Sequence, residues 1–350
     1  MYTLTYNQEE CTDPRRVGGK TASLAEMLRD GMPVAPGYGI TVDAYRDFLD
    51  QGDTRERLAE ILDDLTPTSG QAAYDEAEEK IAEVFDKIGI PEPAATAIRD
   101  RYQELCDRVG IQDVSVAVRS SATAEDSVDA SFAGEFETWV DIVGADDVIE
   151  HVLECYRSVY TGRVLTYLAS KGIRPQEIEM AVVVQKTVRA RSAGVLFTVT
   201  PITGDRTKIS LDASWGLGLA VVGGEVTPDH WVVDKITHSV VSHTPGDKRI
   251  EYRRGDAPVP VDESRWIDPC MSDEEVLALA ELALEIEKRR DGAPQDIEFA
   301  IDEELPAGEN IILLQCRPET VWSNIERKPA FDSSASMMNW ITGTISGNAV

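Results

Sequence analysis

The chain has 350 residues, 42% of them hydrophobic, and a formal net charge of −29 from 63 acidic and 34 basic side chains. That length supports one large core or two to three smaller ones. So negative a surface repels nucleic-acid phosphates and anionic lipid, which argues against a nucleic-acid or membrane-surface role.

No apolar run approaches the ~20 residues of a membrane span. The first ten residues lack a basic and an apolar region, so no signal peptide is expected. Cys11, Cys106, Cys155, Cys270 and Cys316 are odd in number, far apart and never in C-x-x-C, so neither a disulfide framework nor a structural zinc site is indicated, and a cytoplasmic setting is expected. His151, His230, His238 and His243 form no metal-ligand spacing.

The first third reads as mostly helical. Leu24, Met27 and Leu28 share one face of a helix over 21–31, and 43–51, 71–88 and 92–109 have the same period. From Val114 the texture changes: 114–119 and 135–142 read as strands, 147–170 as a helix and 180–188 as a buried strand. Strands follow at 194–199, 207–212, 231–235 and 238–243, then a loop with short strands over 244–265. Ser272 to Glu275 is a capping box opening a helix that ends in Lys288, Arg289 and Arg290. Residues 296–301 and 310–317 read as an antiparallel hairpin, and 323–350 as a tail or linker. The expected class is α+β, with residues 1–188 forming a first lobe and 189–322 a second around a shared cleft.

Several short segments bear on chemistry. Gly19-Lys20-Thr21 ends like a phosphate-binding loop, but the required first glycine falls at Pro14, which rejects that motif. A lysine at a glycine-softened helix start still reaches a phosphate, although a glycine turn with a solvated lysine fits the same residues. Arg119 sits at a strand end before small hydroxyl residues, suited to clamping phosphate or to facing water. Gly134 and Thr138 flank a stretch able to act as a flap over phosphates or as an ordinary hairpin loop. Gly216-Leu217-Gly218 lacks the third glycine of a dinucleotide fingerprint, because Val221 occupies that place, so loop packing is the expected role.

Asp296 and Glu298 are two apart in a strand and point the same way, so a cation between them would relieve their repulsion. Magnesium accepts one or two carboxylates beside phosphate oxygens. Gln315 and Arg317 share the adjoining face of the next strand, and ordinary surface ion pairs are the competing reading. Gln185 ends a buried strand whose edge either meets a base or crosses between lobes.

Taken in order, these segments resemble the N-terminal nucleotide-binding domain shared by phosphoenolpyruvate synthase, pyruvate phosphate dikinase and rifampin phosphotransferase. The resemblance runs over about residues 10–322 and rests on Gly18-Gly19-Lys20, Arg119 to Asp126, Ser131 to Gly134, Val182 to Gln185, Gly194 to Thr198, Trp215 to Gly218, Val226 to Asp229, Asp296 to Glu298 and Leu314 to Thr320. It implies an ATP-grasp fold holding ATP and magnesium, and an enzyme that splits ATP to AMP and phosphate and charges a histidine on a separate swivelling domain. By resemblance Lys20, Arg119 and Arg317 carry the catalytic charge neutralisation. Asp296, Glu298 and Gln315 are the implied metal ligands, and Gly134, Thr138 and Gln185 join the nucleotide contacts.

The family's Gly-Gly-x-x-[Ser/Thr]-His segment does not occur here, and Glu135 stands where many relatives have glutamine. The chain therefore resembles the nucleotide-binding part of a split enzyme, of the kind seen in phenylphosphate synthase, working with a phosphohistidine partner subunit on a phenol-type acceptor. An N-terminal piece of a pyruvate-directed synthase and a non-catalytic nucleotide sensor are the competing readings.

Overall fold

The computed structural model describes residues 1–322 apart from 67, 124–125, 128–129, 132–136 and 254–256. The expected flap residue Gly134, its neighbour Glu135 and the expected tail 323–350 lie outside the described residues.

The chain starts with β1 (Thr3–Thr5), α1 (Pro14–Arg29), β2 (Gly37–Ile40), α2 (Val42–Leu49) and α3 (Thr54–Asp63). Then come α4 (Gln71–Ile88), α5 (Glu92–Val109), β3 (Val116–Ala122), the two-residue strands β4 (Asp126–Ser127) and β5 (Ala130–Ser131), and β6 (Thr138–Ile142). After α6 (Ala145–Ser158) and α7 (Gly162–Lys171), β7 (Met180–Lys186) completes an antiparallel sheet of order β1-β2-β7-β3-β6.

The second sheet begins at β8 (Ala190–Phe197) and β9 (Lys208–Trp215), followed by the short α8 (Leu219–Val222), β10 (Asp229–Asp234) and β11 (Ser239–Thr244). Short strands β12 (Ile250–Glu251) and β13 (Val259–Pro260) lead to α9 (Asp273–Arg289), β14 (Gln295–Asp302) and β15 (Ile311–Pro318). Its order is β11-β10-β9-β8-β14-β15, again antiparallel.

Each sheet has its own core. Phe48, Phe85, Tyr156 and Tyr160 cluster edge-on or tilted on one side of the first sheet, with the inward faces of α2 to α7. The second sheet buries Leu211, Trp231, Ile297 and Phe299 against Leu279, Ala283 and Ile286 of α9. Helix α9 opens with the expected capping box, in which the Ser272 hydroxyl accepts from the Glu275 amide and the Glu275 carboxylate from the Ser272 amide.

Helix α1 belongs to both halves. Its Val17, Leu24 and Met27 are buried in the second core, while its Thr21 amide donates to Ser121 on β3 and its Ser23 hydroxyl to the carbonyl of Cys316 on β15. The helix is broken at Gly18, where φ is +72°. A β-carbon there would sit 1.8 Å from the Ser121 carbonyl oxygen, so only glycine fits.

Three local expectations change. The helix expected over 147–170 is two helices, because the Thr161 hydroxyl caps a new start by accepting from the Val164 amide. Arg119 lies inside β3 rather than at its end, since the strand runs on through the small residues to Ala122. Gln185 is not at a free edge: its backbone is paired with Gly37 on one side and Ala117 on the other. Strands β1 and β2 and helix α3 were not anticipated, being short or weakly periodic.

Candidate functional site

The two sheets face each other across a cleft of about 280 Å³. Lys20, Arg119, Thr138, Gln185, Glu298, Gln315 and Arg317 all border it, so residues spread over nearly the whole chain converge on one space. Asp296 is not among its lining residues but is bonded to Arg317, which is.

At the polar end, Arg119 crosses from the first sheet to the second. Its Nη2 donates to Glu298 Oε2 at 2.8 Å and to Gln315 Oε1 at 2.7 Å, and its Nη1 donates to the Leu314 carbonyl at 3.1 Å. Glu298 and Gln315 meet because they are cross-strand partners on β14 and β15, as are Asp296 and Arg317. Arg317 donates from Nε and Nη2 to Asp296 Oδ2, at 2.8 and 2.7 Å. Burial pushes the Asp296 carboxyl above the usual carboxylate range, and the Arg317 guanidinium opposes that rise without cancelling it. Lys20, just past the Gly18 break, donates to the Ser120 carbonyl at 3.0 Å.

At the other end the walls are apolar: Ala117, Val140, Val188, Leu217, Leu219, Val222 and Leu314. Gln185 lies among them, 2% exposed, and its side-chain Nε2 has no hydrogen-bond partner among the described residues. Gly194 lines the cleft, and glycine is required there because a β-carbon would lie 2.0 Å from the Asp212 carbonyl oxygen of the paired strand β9. The Gly216–Gly218 loop packs as expected, with the Leu217 amide donating to the Tyr252 carbonyl at 2.7 Å. It also turns Leu217 into the cleft, which the motif comparison alone missed.

Glu298 Oε2 and Gln315 Oε1 both converge on one nitrogen of Arg119, so a cation replacing that nitrogen would find two oxygen donors already aimed at it. Oxygen-only donors of this kind suit a hard divalent ion. Asp296 is held by Arg317 through two of its guanidinium nitrogens. Among the described residues no cluster of three or more His, Cys, Asp or Glu side chains forms a closed metal site, and any ion here would complete its shell with water or ligand oxygens.

Two sheets closing on a cleft, cationic and carboxylate-bearing at one end and apolar at the other, define an ATP-grasp nucleotide-binding protein. The chain belongs to the pyruvate phosphate dikinase AMP/ATP-binding domain family, whose model matches residues 14–337. It is 38% identical over 347 residues to a probable phosphoenolpyruvate synthase of Staphylothermus marinus, covering 92% of this chain and 41% of that protein. It is 40% identical over 335 residues to a phosphoenolpyruvate synthase of Aeropyrum pernix, covering 88% and 41%. The chain therefore spans about two-fifths of the length of these relatives. Among solved structures, D-alanyl-alanine synthetase A of Vibrio cholerae aligns over 77% of this chain and 73% of its own at 11% identity and a TM-score of 0.23, too low to carry weight. No helix among the described residues is long and apolar enough to cross a membrane.

Proposed function

We propose that the cleft holds ATP with magnesium, the adenine at the apolar end and the triphosphate at the Arg119 end, and that the chain passes a phosphoryl group to a histidine outside these 350 residues. The observation that carries this reading is the convergence of Lys20, Arg119, Glu298, Gln315 and Arg317 on one cleft whose far end offers the unpartnered Gln185 amide. A buried amide donor without a partner is costly, and a ring nitrogen of adenine would relieve that cost.

Magnesium would supply charge neutralisation between Glu298, Gln315 and phosphate oxygens. Arg119 and Lys20 would neutralise the triphosphate, and Arg317 would hold Asp296 in place and reach the phosphates. Positioning and charge account for most of phosphoryl-transfer catalysis, and these residues supply both. Thr138, on the first residue of β6 and cross-strand from Arg119, would donate to a phosphate oxygen. The ATP-to-AMP chemistry and the phosphohistidine carrier follow the family, as does a partner domain supplied by another chain or a longer polypeptide.

For the final acceptor, pyruvate is favoured over a phenol, because the relatives named above are phosphoenolpyruvate synthases. The test is to mix the purified chain, ATP labelled in its β- and γ-phosphoryl groups and magnesium with the phosphohistidine and acceptor-binding domains of a synthase. Label should reach the histidine and then pyruvate rather than phenol. Absence of label on the histidine, with the domains shown to be folded, would overturn the proposal.

A further inference from the structure

Behind residues 187–189, the connector from β7 to β8, lies a second cavity of about 470 Å³. It is walled by both halves of the molecule, and Lys186 and Val188 border both cavities. One small apolar cluster, built on Ala35, Val188, Ala193 and Ala300, contributes residues to the walls of both.

Three polar groups mark this rear cavity. The Tyr6 hydroxyl is buried, its residue 2% exposed, and among the described residues it has no hydrogen-bond partner. It is accommodated only because residue 37 is glycine: a β-carbon there would lie 2.4 Å from that oxygen. Arg108 reaches the same point, its Nη2 donating to the Gly37 carbonyl at 3.4 Å. Arg108 and Lys186 make no ion pair among the described residues, in a chain of net charge −29 where most cations do. Two acids also line the cavity: the buried Asp302 accepts from the Glu304 amide, and Glu304 is paired with Arg189. Apart from Asn7, the remaining wall is aliphatic.

We propose that this cavity binds a small monocarboxylate with an apolar body, its carboxylate taken by Tyr6, Arg108 and Lys186, and that its occupant biases the connector and hence the nucleotide cleft. A hydroxyl donor and two cations select a single anionic group, and aliphatic walls reject a bare inorganic anion. The occupant would press on Val188, whose other side lines the cleft, so each ligand would change the other's affinity by the same factor. The binding claim stands by itself, and only the coupling rests on the nucleotide reading given above.

Benzoate is the probe, titrated by calorimetry into the nucleotide-free chain. Saturable one-to-one binding in the micromolar to millimolar range is expected. Arg108→Met should weaken it about tenfold and Tyr6→Phe severalfold. Tyr6→Phe should leave the thermal midpoint equal or higher, since it deletes an unpartnered buried hydroxyl. No saturable binding, equal binding by both variants, or displacement by inorganic phosphate as potent as by unlabelled benzoate would overturn the site. A marked loss of thermal stability in Tyr6→Phe would do so too, by showing that the hydroxyl has a structural partner. In a second arm, ATP affinity is measured with and without saturating benzoate, and an unchanged value would overturn the coupling alone.

Discussion

Arg119 and Glu298, 179 positions apart, meet at 2.8 Å across the two sheets, so one guanidinium fastens the first lobe to the carboxylate face of the second. The same nitrogen holds Gln315 at 2.7 Å. A cation brought in with a nucleotide would compete with Arg119 for both oxygens and free the guanidinium to meet phosphate. On the proposed reading, ligand binding would exchange this ion pair for two other contacts.

Glu298→Gln separates charge from scaffold. An amide oxygen still accepts from Arg119, so the sheets should stay aligned and the thermal midpoint should move little. Without the negative charge, magnesium dependence of nucleotide binding should vanish, and histidine labelling of the partner domain should fall by about two to three orders of magnitude. Wild-type labelling by this variant, measured at saturating magnesium, would remove Glu298 from the site.

Gly18→Ala should damage both fold and cleft. The substitution places a β-carbon 1.8 Å from the Ser121 carbonyl oxygen at a φ of +72°. Left-handed strain and overpacking each cost about 1–3 kcal/mol. A loss of at least about 2 kcal/mol in urea denaturation is expected. Because Lys20 follows two residues on, nucleotide affinity should drop as well. A variant as stable as the parent would mean that the break in α1 is not required.

A third prediction concerns Lys248 and Asp229, both side chains 0% exposed and 2.6 Å apart. Asp229 also accepts from the amides of Gly246 and Cys270, so it ties the loop after β11 to the approach to α9. Breaking such a pair leaves a charge without compensation in the interior. Lys248→Met and Asp229→Ala should each destabilise by about 3–5 kcal/mol. The double variant should lose less than the sum of the two, and a double-mutant cycle would measure that coupling. Strict additivity would refute the assigned ion pair.

Much of this arrangement could be read from the residues. The period-two placement of Asp296 and Glu298 and the facing Gln315 and Arg317 specified a hairpin with a carboxylate face, and the ladder pairs Asp296 with Arg317 and Glu298 with Gln315. Helices α4 and α5 were legible to their ends because their apolar period is long and Gly89 and Gly110 stop them. What escaped was non-local. Strand β2 is only four residues, Gly-Tyr-Gly-Ile, and two of them are glycines that disfavour a strand, yet by pairing with β7 it removes the free edge expected at Gln185. The rear cavity likewise depends on Tyr6, Gly37 and Arg108 meeting in space, which no spacing in the chain announces.

His230 offers a pH test of the second sheet. Its Nδ1 lies 2.7 Å from Asp212 Oδ1, across the β9–β10 ladder, and that hydrogen bond raises the imidazolium pKa above the ordinary histidine value, against a smaller opposing effect of burial. A histidine whose folded pKa is raised binds its proton more tightly in the native state. Its contribution to stability is therefore complete below the unfolded value of about 6.5 and is lost as pH rises through the folded value. The side chain is 40% exposed, so the effect is screened and small, but its sign is fixed. Stability measured from pH 6 upward should thus fall slightly in the parent, and Asp212→Asn should abolish that slope while returning the His230 ring resonance to an ordinary midpoint. With three other histidines in the chain, assignment by His230→Gln is the necessary control. An unshifted His230 midpoint in the parent would show that the pair does not persist in solution.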